Sequence, residues 1–242
     1  MSCFIGARRV LRDLSLSIPA RRVTALIGAS GGGKSTFLRV LNRTHDAAEP
    51  LRLTGTVTLD GEDIHRPDVD VQRLRRRVAM VFSQPYTFDT TVFENLVYGL
   101  RAAGVRDRAT LEDRAETALR RCDLGALLDD KLGAAARSLP LGLQQRLSIA
   151  RALAVGPEVL LLDDPTGSLD PATTGAIEAL MSALRAQLTV VFVTHSLQQA
   201  ARVSQHLAYF DEGALIEAGD TRVLFTRPKE RQTLLYLTGR SA

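Results

Sequence analysis

Residues 28–36, GASGGGKST, set glycines at 28, 31, 32 and 33 ahead of a Lys-Ser-Thr. Glycine lets a backbone curl until successive N–H groups face one anion. At this spacing Lys34 is placed to reach the terminal phosphates of a nucleotide, and the Ser35 hydroxyl to meet Mg²⁺. Lysine is otherwise rare: of 31 basic residues only Lys34, Lys131 and Lys229 carry an ammonium. A chain so rich in arginine that keeps lysine at 34 needs a compact point charge there. Residues 158–170, EVLLLDDPTGSLD, end an apolar run in two carboxylates. Asp163 is expected to hold Mg²⁺ through its water shell, and Asp164 to take the proton of an attacking water. The candidate nucleotide-binding residues are Gly28, Ala29, Ser30, Gly31, Gly32, Gly33, Lys34, Ser35 and Thr36, with ATP and Mg²⁺ as ligands.

Such groups work only if strands deliver them to one place. Residues 23–27, 78–82, 159–162 and 189–193 are short, continuous apolar runs, the pattern of strands buried on both faces of a parallel sheet. Helical periodicity fills residues 91–128, 141–154 and 171–187, the last with Pro171 in its first turn after Asp170. Residues 10–19 and 54–59 alternate apolar and polar and are predicted as antiparallel strands. The expected fold is α/β: a P-loop NTPase core with an antiparallel β subdomain and an inserted α-helical subdomain at about 85–155. One domain spans 1–242.

Composition excludes several classes. No window approaches the roughly 18 consecutive apolar residues of a spanning helix, and the N-terminus lacks the apolar run of a secretory signal. The chain is therefore expected in the cytosol. Cys3 and Cys122 have no metal-ligand spacing and read as buried or incidental thiols. The net charge is +4, but the arginines are scattered apart from Arg73, Arg75, Arg76 and Arg77, a pattern of solvated surface. No nucleic-acid partner is expected.

The order of motifs resembles the ATP-binding subunits of ABC transporters over practically the whole chain. After GASGGGKST come SQPYTF at 83–88, QQRLSIARAL at 144–153, LLLDDPTGSLD at 160–170 and VTHS at 193–196. The resemblance implies that Gln84 senses nucleotide and metal, that His195 contacts the γ-phosphate, and that Asp170 acts across a dimer interface. Gln84 then joins Ser35 and Asp163 at the metal, and the catalytic set is Asp164, His195 and Gln84. Partners follow from it too: integral-membrane permease subunits, a solute-binding protein indirectly, and a second ATPase subunit in a homodimer or heterodimer at the cytoplasmic face of the membrane. The segments THSLQQAARVS, LIEAGDTRVLFTRP and QTLLYLTGR are similar to one branch, the ATPases of phosphate importers. Relatives that act on DNA or ribosomes fit less well, because the chain holds one domain and no long coiled coil.

Three positions depart from that family. Its signature loop runs Leu-Ser-Gly-Gly-Gln, where this chain has Leu139, Pro140, Leu141, Gly142 and Leu143. Its general base is glutamate, where this chain has Asp164, shorter by about 1.5 Å, one carbon–carbon bond. The position that stacks a ring on adenine is Ile5, with Phe4 beside it as a substitute. The binding half of the site is thus complete and the hydrolytic half altered. Two functions remain open: an ATPase driving an importer, or a degenerate nucleotide-binding subunit that regulates another ATPase.

Overall fold

In the computed structural model, which describes residues 1–47 and 51–240, the chain opens on a hairpin. Strand β1 (Ser2–Ile5) runs antiparallel to β2 (Arg8–Leu11). Strand β3 (Val23–Ile27), buried at every position, delivers the chain into the glycine-rich loop and helix α1 (Lys34–Leu41). Next come β4 (Leu51–Thr54), paired with β1, and a small ribbon of β5 (Thr58–Leu59) with β6 (Glu62–Asp63). Helix α2 (Val71–Arg77), capped by the Asp70 carboxylate on two amides, leads into β7 (Val78–Val81).

Four helices then intervene before the sheet resumes: α3 (Val92–Ala102), α4 (Arg108–Arg121), α5 (Gly125–Leu128) and α6 (Leu141–Ala154). Thr91 and Asp107 cap α3 and α4 by accepting amide protons from Glu94 and Thr110, which is why each helix starts there. Arg146 is nearly buried among them and donates to the carbonyls of Cys122 and Asp123. The chain returns through β8 (Val159–Asp163), α7 (Pro171–Leu184), β9 (Thr189–Val193), α8 (Leu197–Val203), β10 (His206–Asp211), β11 (Ala214–Asp220), α9 (Thr221–Thr226) and α10 (Arg231–Leu237).

The main sheet has the order β11-β10-β3-β9-β8-β7, parallel throughout except for β11. Its strands alternate between two cores. Ala25, Ile27, Leu160, Leu162 and Phe192 face one, Leu26, Leu161, Val191 and Val193 the other. Burial on both faces explains the unbroken apolar runs. Register brings the strand ends together: Val193 lies beside Leu26 on one side and Asp163 on the other. Ligands of open parallel sheets collect at such carboxyl ends.

Two expected strands are corrected. Residues 10–19 are not one strand: β2 ends at Leu11, Arg12 adds a single bridge to Ala214, and Asp13 turns the chain at φ 46°. The alternation beyond it buries Leu14, whose backbone bonds to Met1, and tucks in Leu16 and Ile18 outside any strand. Residues 54–59 divide at Gly55, whose φ of 91° and closeness to Met1 end β4. Both cysteines are buried, which raises the thiols to about 11 for Cys3 and about 12 for Cys122 and keeps them inert.

Candidate nucleotide site

The loop after β3 is shaped by its glycines. Gly28 sits at φ 140°, and a Cβ there would lie 2.0 Å from the Phe210 carbonyl oxygen, so no other residue fits beneath β10. Gly33, at φ 93°, is the N-cap of α1 and offers no side-chain cap. The first amides of α1 are therefore left for an anion, at the positive end of the helix.

Lys34 is 4% exposed, and its Nζ donates to the carbonyls of Gly28 at 2.8 Å and Ala29 at 2.7 Å. Burial lowers its pKa, opposed by the nearby charges of Asp163 and Asp164. An ammonium held by neutral carbonyls is under-compensated, and a phosphate would supply the missing charge. Next to it the Ser35 Oγ donates to Asp163 Oδ1 at 2.7 Å. A hydroxyl beside a buried carboxylate is a hard-oxygen donor pair that suits Mg²⁺. The loop opens on a cavity of about 510 Å³ walled by residues 30–36, His195, Arg8, Arg9 and Glu212. Among the expected residues, the structure thus gathers Lys34, Ser35, Asp163 and His195 with the loop.

Asp164 follows at φ 45°, a left-handed turn that aspartate tolerates better than most residues. Its carboxylate folds down onto Gly167, where a Cβ would stand 2.3 Å from Oδ2. Burial raises its pKa, His195 and Lys34 pull it down, and Asp163 adds to the rise. A carboxyl with a raised pKa is closer to the range useful to a general base. The same burial has a thermodynamic consequence. The folded chain holds the Asp164 proton more tightly than the unfolded chain, so its contribution to stability is lost as pH rises through the folded pKa. Asp164→Asn is therefore expected to raise Tm by a few degrees at neutral pH, with the gain vanishing in acid, while cutting turnover by about 10²-fold or more. Melting curves at both ends of the pH range, beside a rate measurement, check it; an equal Tm gain in acid would rule out ionisation as its cause.

Gln84 follows β7, whose Val81 pairs with Leu162, the residue before Asp163. It is exposed and lines a cavity of about 670 Å³ beside β7, α3 and α6, together with Tyr86, Tyr98 and Arg151. Asp170 caps α7, accepting from the Thr173 amide at 2.9 Å and hydroxyl at 2.6 Å. Residues 139–143 lead into the first turn of α6. Pro140 is its N-cap without a side-chain cap, and Leu141 is 47% exposed. Leu143 packs against the helical core, and a Cβ on Gly142 would meet Thr173 Oγ1 at 2.7 Å. Ile5 is half-buried, and Phe4 is engaged by Arg52, whose guanidinium stands 4.1 Å from the ring centroid.

Sequence reasoning did not single out Gly167, Gln199 or Thr166. Buried Gln199 donates to Thr166 Oγ1 at 3.0 Å and Glu178 Oε1 at 3.1 Å. It ties the turn after Asp164 to α8, the helix that starts just past His195. Gly167 had one signal: a glycine three residues after a carboxylate at a strand end.

The family model described as ABC transporter matches residues 11–167. Phosphate import ATP-binding protein PstB 1 of Vibrio parahaemolyticus is 50% identical over 240 residues, 99% of this chain and 88% of that protein. Phosphate import ATP-binding protein PstB of Idiomarina loihiensis matches to the same extent, 50% over 240 residues, 99% and 88%. Among solved structures, an ATP-binding subunit of an ABC transporter superposes with TM-score 0.78 at 23% identity, covering 98% of this chain and 96% of that one. The cbiO1 structure from Clostridium perfringens, part of the ABC transporter complex cbiONQ, gives TM-score 0.80 at 22% identity, covering 99% and 94%. Those two likenesses establish the fold, and the half-identical relatives span almost every residue. The chain belongs to the ABC transporter family, in its ATP-binding branch.

Proposed function

We propose that this chain is the ATP-binding subunit of a phosphate importer, hydrolysing Mg-ATP at the cytoplasmic face of the membrane beneath permease subunits. One observation carries the nucleotide reading: a buried Lys34 on loop carbonyls beside the Ser35–Asp163 bond. The phosphate assignment rests on half identity over nearly the full chain with phosphate import ATP-binding proteins.

In this reading Lys34 exchanges its two carbonyls for phosphate oxygens, and the open amides of α1 take up the remaining charge. Bound Mg²⁺ supplies further neutralisation of the phosphates at Ser35 and Asp163. Asp164 receives the proton of the attacking water, and His195, on the wall of the cavity, orients the terminal phosphate. The permease side is the cavity that Gln84 lines. Phe88 stacks on Tyr98 at 4.1 Å and meets Tyr86 edge-on at 5.4 Å, while both tyrosines stay more than half exposed. An aromatic groove left open to solvent suits a helix of a partner protein. Phosphate uptake by cells lacking the chain is the direct test: undiminished uptake would defeat the importer assignment.

A second reading, a regulatory subunit with little activity paired to another ATPase, is favoured by the start of α6. Pro140 has no hydroxyl to cap with, and Leu141 presents a branched side chain where a phosphate-facing loop would be bare. Phosphate release by the purified chain, alone and with permease, separates the two.

Base recognition is expected to be weak, since the cavity wall beyond the loop is Arg8, Arg9, Val10, His195 and Glu212, with no phenylalanine or tyrosine for adenine to stack on. Ile5→Tyr should tighten ATP about 3–10-fold, the worth of one base–aromatic stack at its lower end, and leave tripolyphosphate unchanged. Competition binding reads both. If tripolyphosphate tightens equally, the gain is not stacking.

A further inference from the structure

The tail segment QTLLYLTGR has no part in the chemistry described so far, yet it reaches the phosphate-binding loop. Tyr236, on α10, places its hydroxyl 3.2 Å from the Gly28 nitrogen and accepts that N–H. Its ring stacks on Tyr209 of β10, with centroids 4.7 Å apart and planes at 20°. Tyr209 lies next to Phe210, whose carbonyl closes the other side of Gly28. Gly28 is therefore gripped from two directions, by β10 and by the tail. Its own carbonyl accepts from Lys34 Nζ at 2.8 Å. A single glycine thus links the tail phenol to the ammonium that must turn toward phosphate.

We infer that Tyr236 is a positioning residue of the nucleotide site: its hydroxyl fixes Gly28 so that Lys34 moves between loop carbonyls and phosphate on a rigid hinge. The inference rests on the nucleotide reading given above and adds the tail to it. Gly28 lacks a side chain by necessity, and its φ of 140° is open only to glycine, so its conformation depends on outside partners. The N–H points to Tyr236 and is unavailable to phosphate while that bond persists. Coupling runs both ways, because a ligand that moves Lys34 alters the partner of Gly28 and hence the surroundings of the phenol. With no tryptophan and four tyrosines in the chain, the near-ultraviolet spectrum is a usable reporter of that ring.

The test compares the parent, Tyr236→Phe, which keeps the ring and its stack, and Lys34→Ala as a control for the loop itself. Mg-ATP affinity, the ATP-induced tyrosine difference spectrum and amide exchange at Gly28 are measured for each. Tyr236→Phe is expected to weaken ATP binding about 3–10-fold, the equivalent of one neutral hydrogen bond. KM should rise while kcat holds within about twofold, as for an interaction shared by ground and transition states. The difference spectrum should lose most of its amplitude, and the Gly28 amide should exchange faster with and without nucleotide. A Tyr236→Phe protein whose affinity, spectrum and Gly28 exchange all match the parent overturns the inference alone, provided Lys34→Ala has lost binding. A parent that binds no ATP overturns the nucleotide reading, and the inference with it. Faster exchange with unchanged affinity and spectrum reduces Tyr236 to a structural latch and refutes its role at the site.

Discussion

Lys34→Ala is expected to weaken Mg-ATP binding by roughly 30- to 5000-fold while leaving the fold intact. The Lys34 ammonium is buried and, among the described residues, donates to the carbonyls of Gly28 and Ala29. Alanine removes a charge whose burial is costly, which offsets the loss of a donor to the exposed Ala29 and the buried Gly28 carbonyls. Stability should therefore change by about 1 kcal/mol or less in either direction. Binding has no such offset. The loop amides and the α1 terminus contribute only partial charges, Asp163 and Asp164 repel phosphate, and Arg8 and Arg9 on the cavity wall are exposed, so water screens them. Removing one partner of a charged pair in a desolvated site costs about 2–5 kcal/mol, or roughly 30- to 5000-fold in affinity. Lys34→Arg is expected to fail nearly as badly, because a forked guanidinium does not fit the carbonyl pair that a compact ammonium occupies. Titration calorimetry with ATP and a melting curve without it check both halves. Retained binding in Lys34→Ala would move the nucleotide off this loop altogether.

The sheet was legible in the sequence because burial on both faces writes itself as uninterrupted apolar runs: the expected runs 23–27, 78–82, 159–162 and 189–193 fold as strands 23–27, 78–81, 159–163 and 189–193. Helix α6 matched its expected limits of 141 and 154, and α7 began at Pro171. Alternation was a poorer guide. At residues 10–19 it recorded which side chains point inward, and nothing in it revealed that Asp13 would turn away from a strand partner. Strands β1 and β4 are short, and their pairing is fixed by residues about 50 apart in sequence, beyond the reach of local patterning. The shape of the glycine-rich loop was legible because its glycines are demanded by local φ values and one close carbonyl. Contacts between distant segments were not: Tyr236 on Gly28 and Gln199 on Thr166 arise only once the tail and α8 have docked.

The largest gain in rate is expected from repairing the two altered elements together: Pro140→Ser, Leu141→Gly and Leu143→Gln with Asp164→Glu. Phosphoryl transfer is catalysed mostly by positioning and by donors preorganised around the γ-phosphate. In the dimer that the motif order implies, the start of α6 would complete the site of a second subunit. Here that start presents Pro140 without a hydroxyl and an exposed Leu141. Loss of one such donor typically costs about 2.7–4 kcal/mol of transition-state stabilisation, or about 10² to 10³ in rate. Asp164 compounds the defect. Its carboxylate rests on Gly167, about one carbon–carbon bond short of a glutamate's reach, and a misplacement of about 1 Å can cost on the order of 10². The combined variant should therefore turn over ATP at least about 10²-fold faster than the parent and dimerise more readily with ATP. The triple variant or Asp164→Glu alone should recover much less, since both defects act on one transition state. Stability moves the other way at one position: Leu143 packs on the helical core, and glutamine there costs about 1 kcal/mol. Serine at 140 offsets part of that by capping α6. Single-turnover rates and the ATP-dependent dimer fraction, measured on all four proteins, decide the matter. A parent already at about 10 s⁻¹, the median of ordinary enzymes, with no gain in the combined variant, would mean that residues 139–143 serve hydrolysis as they stand.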